Sequence, residues 1–233
     1  MDLKRFFVFE DILGSDIILK GNEFYHAIKV TRHKVGYKLI ISDNKDKDYY
    51  CTITKINSDN LIAHIDEIKL NDKELRKDIL LFIGINKEID TSVQKAVELG
   101  VNRIYPIITK HGNENSINKE RLQRIILESA KQCGRSKLPT LNDVIDFTAA
   151  INVAKDTKAF LFYEFEEDRK VSSVSQITED MVSVIIGSEG GFSLEEIAMC
   201  RENNIETYTL GKRILRVNTA LVSALTLVID KVE

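Results

Sequence analysis

Two short stretches bring together the residue types that bind and polarise a ligand. In Ile185-Ile-Gly-Ser-Glu-Gly-Gly-Phe192, three glycines and a carboxylate follow the apolar, β-branched run Val182–Ile186. Gly187, Gly190 and Gly191 allow a bound molecule to approach the main chain closely, and Glu189 sets a negative charge among them. In Leu210-Gly-Lys-Arg-Ile-Leu-Arg-Val-Asn-Thr-Ala220, Arg213 and Arg216 carry permanently charged guanidiniums. Such groups fork onto carbonyl or phosphate oxygens and stabilise negative charge that develops there. Gly211 again frees the backbone, and Ile214 and Leu215 supply apolar cover. A phosphate loop is disfavoured, because no G-K-[ST] follows the glycines and Glu189 would repel phosphate. No G-x-G-x-x-G follows an early strand either.

The elements needed to position these loops are visible around them. Val182–Ile186 reads as a buried strand that empties into the glycine turn. Ser193 then opens a helix, with Glu196 three residues on completing a capping box. Ile205–Leu210 is a second short strand, leading to a helix that begins near Thr219. Two strand–loop–helix junctions place two loops at one edge of a sheet, where α/β proteins bind ligands. Upstream the alternation continues: strand Ile79–Ile85, helix Thr91–Leu99 with Gly100 just past its end, and strand Arg103–Thr109, interrupted by Pro106. Helix Asn118–Cys133 stops at Gly134, and helix Phe147–Ala154 and strand Ala159–Glu164 follow. This order predicts an α/β domain with a mostly parallel sheet and helices on both faces.

Residues 1 to 70 have a different character. Phe6–Phe9, Asp16–Leu19, Tyr37–Ile41, Tyr49–Ile56 and Leu61–Ile65 are short aromatic or β-branched runs separated by turn residues. Their spacing predicts a small β-barrel, interrupted by one helical turn over Asn22–Val30 with Asn22 as its N-cap. The polar run Lys69–Asp78 serves as the hinge, giving domains 1–70 and 71–233.

Composition removes several function classes. Cys51, Cys133 and Cys200 lie far apart with no C-x-x-C pair, and His26, His33, His64 and His111 form no H-x-x-x-H pair, so nothing calls for a metal. No run of about 18 apolar residues suggests a membrane span, and acids interrupt the N-terminus before any signal-peptide core develops, which makes the cytoplasm the expected location. The net charge of −3 argues against nonspecific coating of nucleic acid. Local charge says more: Lys29, Arg32 and Lys34 cluster with His26 and His33, and Lys131, Arg135 and Lys137 form a second basic group.

The paired loops resemble the SPOUT superfamily of S-adenosylmethionine-dependent RNA methyltransferases. Within it they are most similar to the family that methylates N3 of a uridine in small-subunit ribosomal RNA. That family reads G-P-E-G-G-F-[ST]-x-x-E and L-G-x-R-I-L-R-x-E-T-A; this chain has G-S-E-G-G-F-S-L-E-E and L-G-K-R-I-L-R-V-N-T-A. Lys95-Ala-Val-Glu-Leu-Gly-Val-Asn-Arg-Ile-Tyr-Pro106 and Ala130-Lys-Gln-Cys-Gly-Arg-Ser-Lys-Leu-Pro139 also resemble family segments, as does His26-Ala-Ile-Lys-Val-Thr-Arg32. Three departures stand out: Ser188 for a proline, Asn218 for a glutamate, and Thr109-Lys-His-Gly112 where the family has T-x-R-S.

The resemblance carries expectations that periodicity does not. It implies a deep C-terminal trefoil knot whose loops hold S-adenosylmethionine through Phe162, Tyr163, Gly187, Gly190, Leu210, Gly211, Ile214, Leu215, Asn218 and Thr219. It implies a PUA-like N-terminal barrel that meets RNA through Arg5, Lys29, Arg32 and Lys34, and a homodimer acting on ribosomal RNA or the small ribosomal subunit. Arg216 and Arg135 are the expected catalytic charges, with Arg135 acting across the dimer. Glu189 is either a base or a carboxylate that orients its neighbours, the latter favoured because a helix N-terminus stabilises the anion. Asn218 cannot take up a proton, so a capping role suits it better than a base's. Two rivals follow from the departures: a catalytically silent RNA-binding assembly protein, and a methyltransferase of this fold acting elsewhere on RNA.

Overall fold

The computed structural model describes residues 3–114 and 116–232. They form two compact units, one of residues 1–74 with 130–138 and the other of 75–129 with 139–233.

The first unit contains β1 (Arg5–Phe7), β2 (Asp16–Lys20), β3 (Lys38–Ser42), β4 (Lys47–Ile56) and β5 (Asn60–Leu70) in the order β1-β3-β4-β5-β2. β1 and β3 run parallel, and the remaining pairs are antiparallel. Strict alternation in β2 buries Ile17 and Leu19 and exposes Asp16, Ile18 and Lys20, as a strand with one wet face requires. Register irregularities at Tyr50/Cys51 and Ile53/Lys55 bend the long β4–β5 pair. The hydrogen-bonded path is open, so the expected barrel is a half-barrel with β1 and β2 as its ends. Both ends nonetheless feed one apolar cluster, through Phe6 and through Ile17 and Leu19.

α1 (Gly21–Tyr25) starts one residue before the expected cap. Its N-cap is Lys20 and uses no side chain, and the helix continues as a π-helical turn over His26–Val30. Arg5 departs from its expected role. It is buried, forks onto both carboxylate oxygens of Asp48 and reaches Ser42 Oγ. A guanidinium committed in this way to a buried acid is a structural group rather than an RNA contact. Lys29, Arg32 and Lys34 are exposed, and Arg32 holds a left-handed backbone at φ 54°. Arg135 is buried in this unit too, donating from Nε and Nη2 to the two carboxylate oxygens of Glu74 at 3.1 and 2.7 Å. Burial pushes the Cys51 thiol up to about 12, the property of an inert core cysteine.

The second unit is built on a parallel sheet of β6 (Asp78–Gly84), β7 (Arg103–Ile108), β8 (Thr140–Leu141), β9 (Ile145–Asp146), β10 (Lys158–Phe162), β11 (Met181–Ile186) and β12 (Glu206–Tyr208). The order is β12-β10-β11-β6-β7-β8, with β9 also on β7. The helices are α2 (Ile89–Glu98), α3 (Lys119–Cys133), which crosses into the first unit's residues, α4 (Phe147–Ala154), α5 (Leu194–Glu202) and α6 (Val217–Ile229). β6 and β11 are buried almost throughout, which explains their unbroken apolar sequences.

Pro106 does not interrupt β7. The Ile104 carbonyl accepts from Asn142, so strand alternation turns the Pro106 nitrogen to the same side. There it falls between the β8 and β9 pairings, where no ladder donor is needed.

Candidate functional site

Four neighbouring strands, β12, β10, β11 and β6, release their chains at the carboxyl edge of the sheet. The loops after them enclose a cavity of about 470 Å³. That volume lies within the range of small-molecule sites. Its wall is made of Asn86–Glu88 after β6, Phe162–Glu164 at the end of β10, Ile186–Glu189 with Gly191 and Phe192 after β11, and Leu210, Gly211 and Arg213–Val217 with Ala220 after β12.

The glycine turn is shaped by close approach. Ser188 and Gly191 form a bridge, with the Gly191 N–H donating to the Ser188 carbonyl at 3.0 Å. Gly191 has φ +67°, and a Cβ there would lie 2.1 Å from Glu164 Oε1. Gly84, at the end of β6, is blocked by main chain: a Cβ would meet Ser188 N at 2.2 Å. Gly190 faces the other way, against the His111 carbonyl at 2.4 Å for a notional Cβ, and does not line the cavity.

Four side chains tie this turn to its surroundings. The buried Ser188 hydroxyl bonds Thr109 Oγ1 at 2.9 Å. Glu189 Oε1 accepts from the Lys87 N–H at 3.0 Å. The expected capping box is present, Ser193 Oγ accepting from Glu196 N and Glu196 Oε2 from Ser193 N. Glu196 also accepts from Lys110 N at 2.9 Å, which fastens the loop after β7 to α5.

The loop after β10 is fixed from below. Tyr163 N donates to the Tyr208 carbonyl, and Thr207 Oγ1 donates to Glu166 at 2.6 Å. That bond, helped by the Arg169 and Asp168 N–H groups, holds the Glu166 carboxyl below the usual range. Burial, with Glu164 beside it, raises the Tyr163 phenol.

Of the residues singled out from sequence, Phe162, Tyr163, Gly187, Glu189, Leu210, Gly211, Ile214, Leu215 and Arg216 line the cavity; Gly190, Asn218 and Thr219 do not. Arg216 is the N-cap of α6, and neither it nor Arg213 has an ion-pair partner among the described residues. Asn218 does not cap α6 as expected, because the helix starts two residues earlier. Its amide reaches α2 instead, accepting from Ser92 Oγ at 2.7 Å and donating to Glu88 Oε2 at 2.6 Å. Sequence reasoning missed the turn Asn86–Glu88, and the only hint of it was the polar break after the β6 apolar run. Among the described residues no cluster of metal-ligand side chains occurs, and no helix is long and apolar enough to cross a membrane.

The wall is apolar on Phe162, Ile186, Phe192, Ile214 and Leu215 and carries three carboxylates, Glu88, Glu164 and Glu189, beside three cationic residues, Lys87, Arg213 and Arg216. Gly211, where a Cβ would meet nothing within 4 Å, is held by Thr209, whose Oγ1 accepts from its N–H at 3.0 Å. This combination suits a flat heterocycle joined to a tail that carries charges of both signs.

Known proteins share this architecture. The chain is 30% identical over 228 residues to the ribosomal RNA small subunit methyltransferase E of Mesomycoplasma hyopneumoniae, covering 95% of this chain and 97% of that one. It is 30% identical over 237 residues to the protein of the same name from Aquifex aeolicus, covering 96% and 98%. The Neisseria gonorrhoeae ribosomal RNA small subunit methyltransferase E, solved bound to S-adenosyl methionine, superposes with a TM-score of 0.87 at 26% identity, over 97% of this chain and 96% of that one. A Legionella pneumophila protein solved with bound SAM gives 0.88 at 25% identity, over 98% and 97%. Residues 73–229, which contain every loop of the cavity, match the RNA methyltransferase domain model, and the chain belongs to that family.

Proposed function

We propose that this protein transfers the methyl group of S-adenosylmethionine to N3 of a uridine in small-subunit ribosomal RNA. The observation that carries the reading is the cavity itself, where both sequence motifs meet at the carboxyl edge of the sheet. Phe162, Ile214 and Leu215 suit the faces of an adenine. The backbone at Gly187 and Leu210 supplies hydrogen bonds, and the wall's carboxylates favour a cation. The cofactor brings an electrophilic methyl group; the protein must exclude water and manage charge on the base.

N3 of uridine carries a proton near neutral pH, so negative charge spreads onto O2 and O4 as that proton leaves. Arg216, on the cavity wall and without an ion pair among the described residues, is suited to stabilise it. Glu189 spends one oxygen on the Lys87 N–H, which supports an orienting role over that of a base. Asn218 cannot accept a proton. Arg135 is held by Glu74, and its expected catalytic role rests on the resemblance alone.

The chain leaves edge strand β12, and α6 then packs on α2 and β11 within the sheet; this return supports the trefoil knot. The half-barrel's shared core supports a PUA-like module, with Lys29, Arg32 and Lys34 as its RNA-facing cations. A homodimer in the cytoplasm completes the reading.

N3-methylation blocks the Watson–Crick edge, so reverse transcription tests it. Small subunits lacking the modification should gain one new stop after incubation with protein and S-adenosylmethionine. No stop, or a stop at a base other than uridine, would refute the assignment.

A further inference from the structure

The Asn218 amide is engaged on both its oxygen and its nitrogen. Asn218 Oδ1 accepts from Ser92 Oγ and its Nδ2 donates to Glu88 Oε2. Ser92 is completely buried, and Asn86, itself 2% exposed, donates to it at 3.4 Å and accepts from Glu88 N at 3.0 Å. These contacts join the start of α2 to the first turn of α6. Only a group with both a donor and an acceptor satisfies Ser92 and Glu88 together. A carboxylate at 218 would instead oppose the Glu88 carboxylate at hydrogen-bond distance, and like charges so close disfavour each other.

The negative charge at this junction is therefore carried by Glu88, the N-cap residue of α2. Glu88 lines the cavity, and its second oxygen, Oε1, has no hydrogen-bond partner among the described residues. Glu189 differs, since one of its oxygens is occupied by Lys87 N.

We propose that Glu88 is a cofactor-recognition carboxylate for the cationic part of S-adenosylmethionine and that Asn218 is its positioning residue. The two act as one unit. The inference rests on the methyltransferase reading above and adds to it a recognition residue.

Calorimetric titration of S-adenosylmethionine into the full-length protein and the variants Glu88→Gln, Asn218→Ala and their combination tests it. Loss of a charge-assisted hydrogen bond should raise Kd about tenfold in Glu88→Gln. Asn218→Ala should weaken binding severalfold, and the double variant no further than Glu88→Gln alone, because Asn218 acts through Glu88. The KM for RNA should not move. Wild-type affinity in Glu88→Gln, or additive losses in the double variant, would overturn the proposal. Thermal unfolding provides a second arm independent of the cofactor. Asn218→Glu should lower Tm and E88Q/N218E should restore it; an unchanged Tm in Asn218→Glu would overturn the pairing. Absence of S-adenosylmethionine binding by the unaltered protein would sink the functional reading and Glu88's role with it, while the Tm arm would still decide the pairing.

Discussion

Gly84→Ala should damage the site by displacing the main chain of its glycine turn. Gly84 closes β6, and its α-carbon lies against the backbone of the glycine turn. An added methyl carbon would sit 2.2 Å from Ser188 N, 2.7 Å from Gly187 C and 2.9 Å from Ser188 Cα. Ordinary contact is about 3.5 Å or more, so the turn must retreat by roughly 1 Å. All three obstacles are main chain, and no side-chain rotation relieves them. Overpacking of this kind costs about 1–3 kcal/mol, which lowers Tm by roughly 2–12 °C for a chain of this size. Function should suffer more, because a shift of about 1 Å in a positioning element costs on the order of 10²-fold in rate. The assay is thermal unfolding beside single-turnover methyl transfer. Gly14→Ala is the control: its Cβ meets nothing within 4 Å, and it bears only the strain of φ +86°, about 1 kcal/mol. A Gly84→Ala protein with unchanged Tm and turnover would refute the reasoning.

Other substitutions separate charge, burial and capping. Arg216→Ala should cut turnover about 10²–10³-fold while leaving the cofactor Kd nearly unchanged, as expected of a group that acts on developing charge; equal losses in both would place it in ground-state binding. Arg5→Ala should destabilise the half-barrel by about 3–5 kcal/mol in chemical denaturation, since it strands the buried Asp48 carboxylate. Burial alone pushes the Asp48 carboxyl up, but the bonds from Arg5, Ser42 and Asn71 together outweigh it and hold the group below its usual 3.8. Its stabilising contribution is therefore present above that value and lost as pH falls through the lower folded-state one, so Tm should drop more steeply below about pH 4 in the wild type than in Asp48→Asn. Ser193→Ala should cost about 1 kcal/mol through loss of the α5 cap, read by the denaturation midpoint.

What the chain discloses in advance is local. The capping box at Ser193 and Glu196 can be read directly, because its partners are three residues apart. The buried strands β6 and β11 and the two cavity loops are readable for the same reason: apolar runs and glycines mark their own surroundings. Features that depend on distant partners are hidden. Arg5 looks like one of several surface cations until Asp48, 43 residues away, is found beneath it. Asn218 looks like a helix cap because its real partners, Ser92 and Glu88, lie 126 and 130 residues upstream. Gly84 has an ordinary strand backbone, so only the turn packed against it reveals why no side chain fits. The open path of the first sheet is hidden too, because alternation marks which face of a strand is buried and not which strand edges pair. The return of residues 130–138 to the first unit likewise has no signal in the amphipathic pattern of α3, which reads as one continuous helix.

The central claim is methyl transfer to a uridine base, and labelled cofactor tests it most directly. Protein, S-adenosylmethionine with a labelled methyl group, and small ribosomal subunits or naked RNA lacking the modification would be incubated together, and the RNA digested to nucleosides. Label should appear in N3-methyluridine, at a rate about 10²–10³-fold lower with Arg216→Ala. Label in any other nucleoside, or none despite measurable cofactor binding, would contradict it.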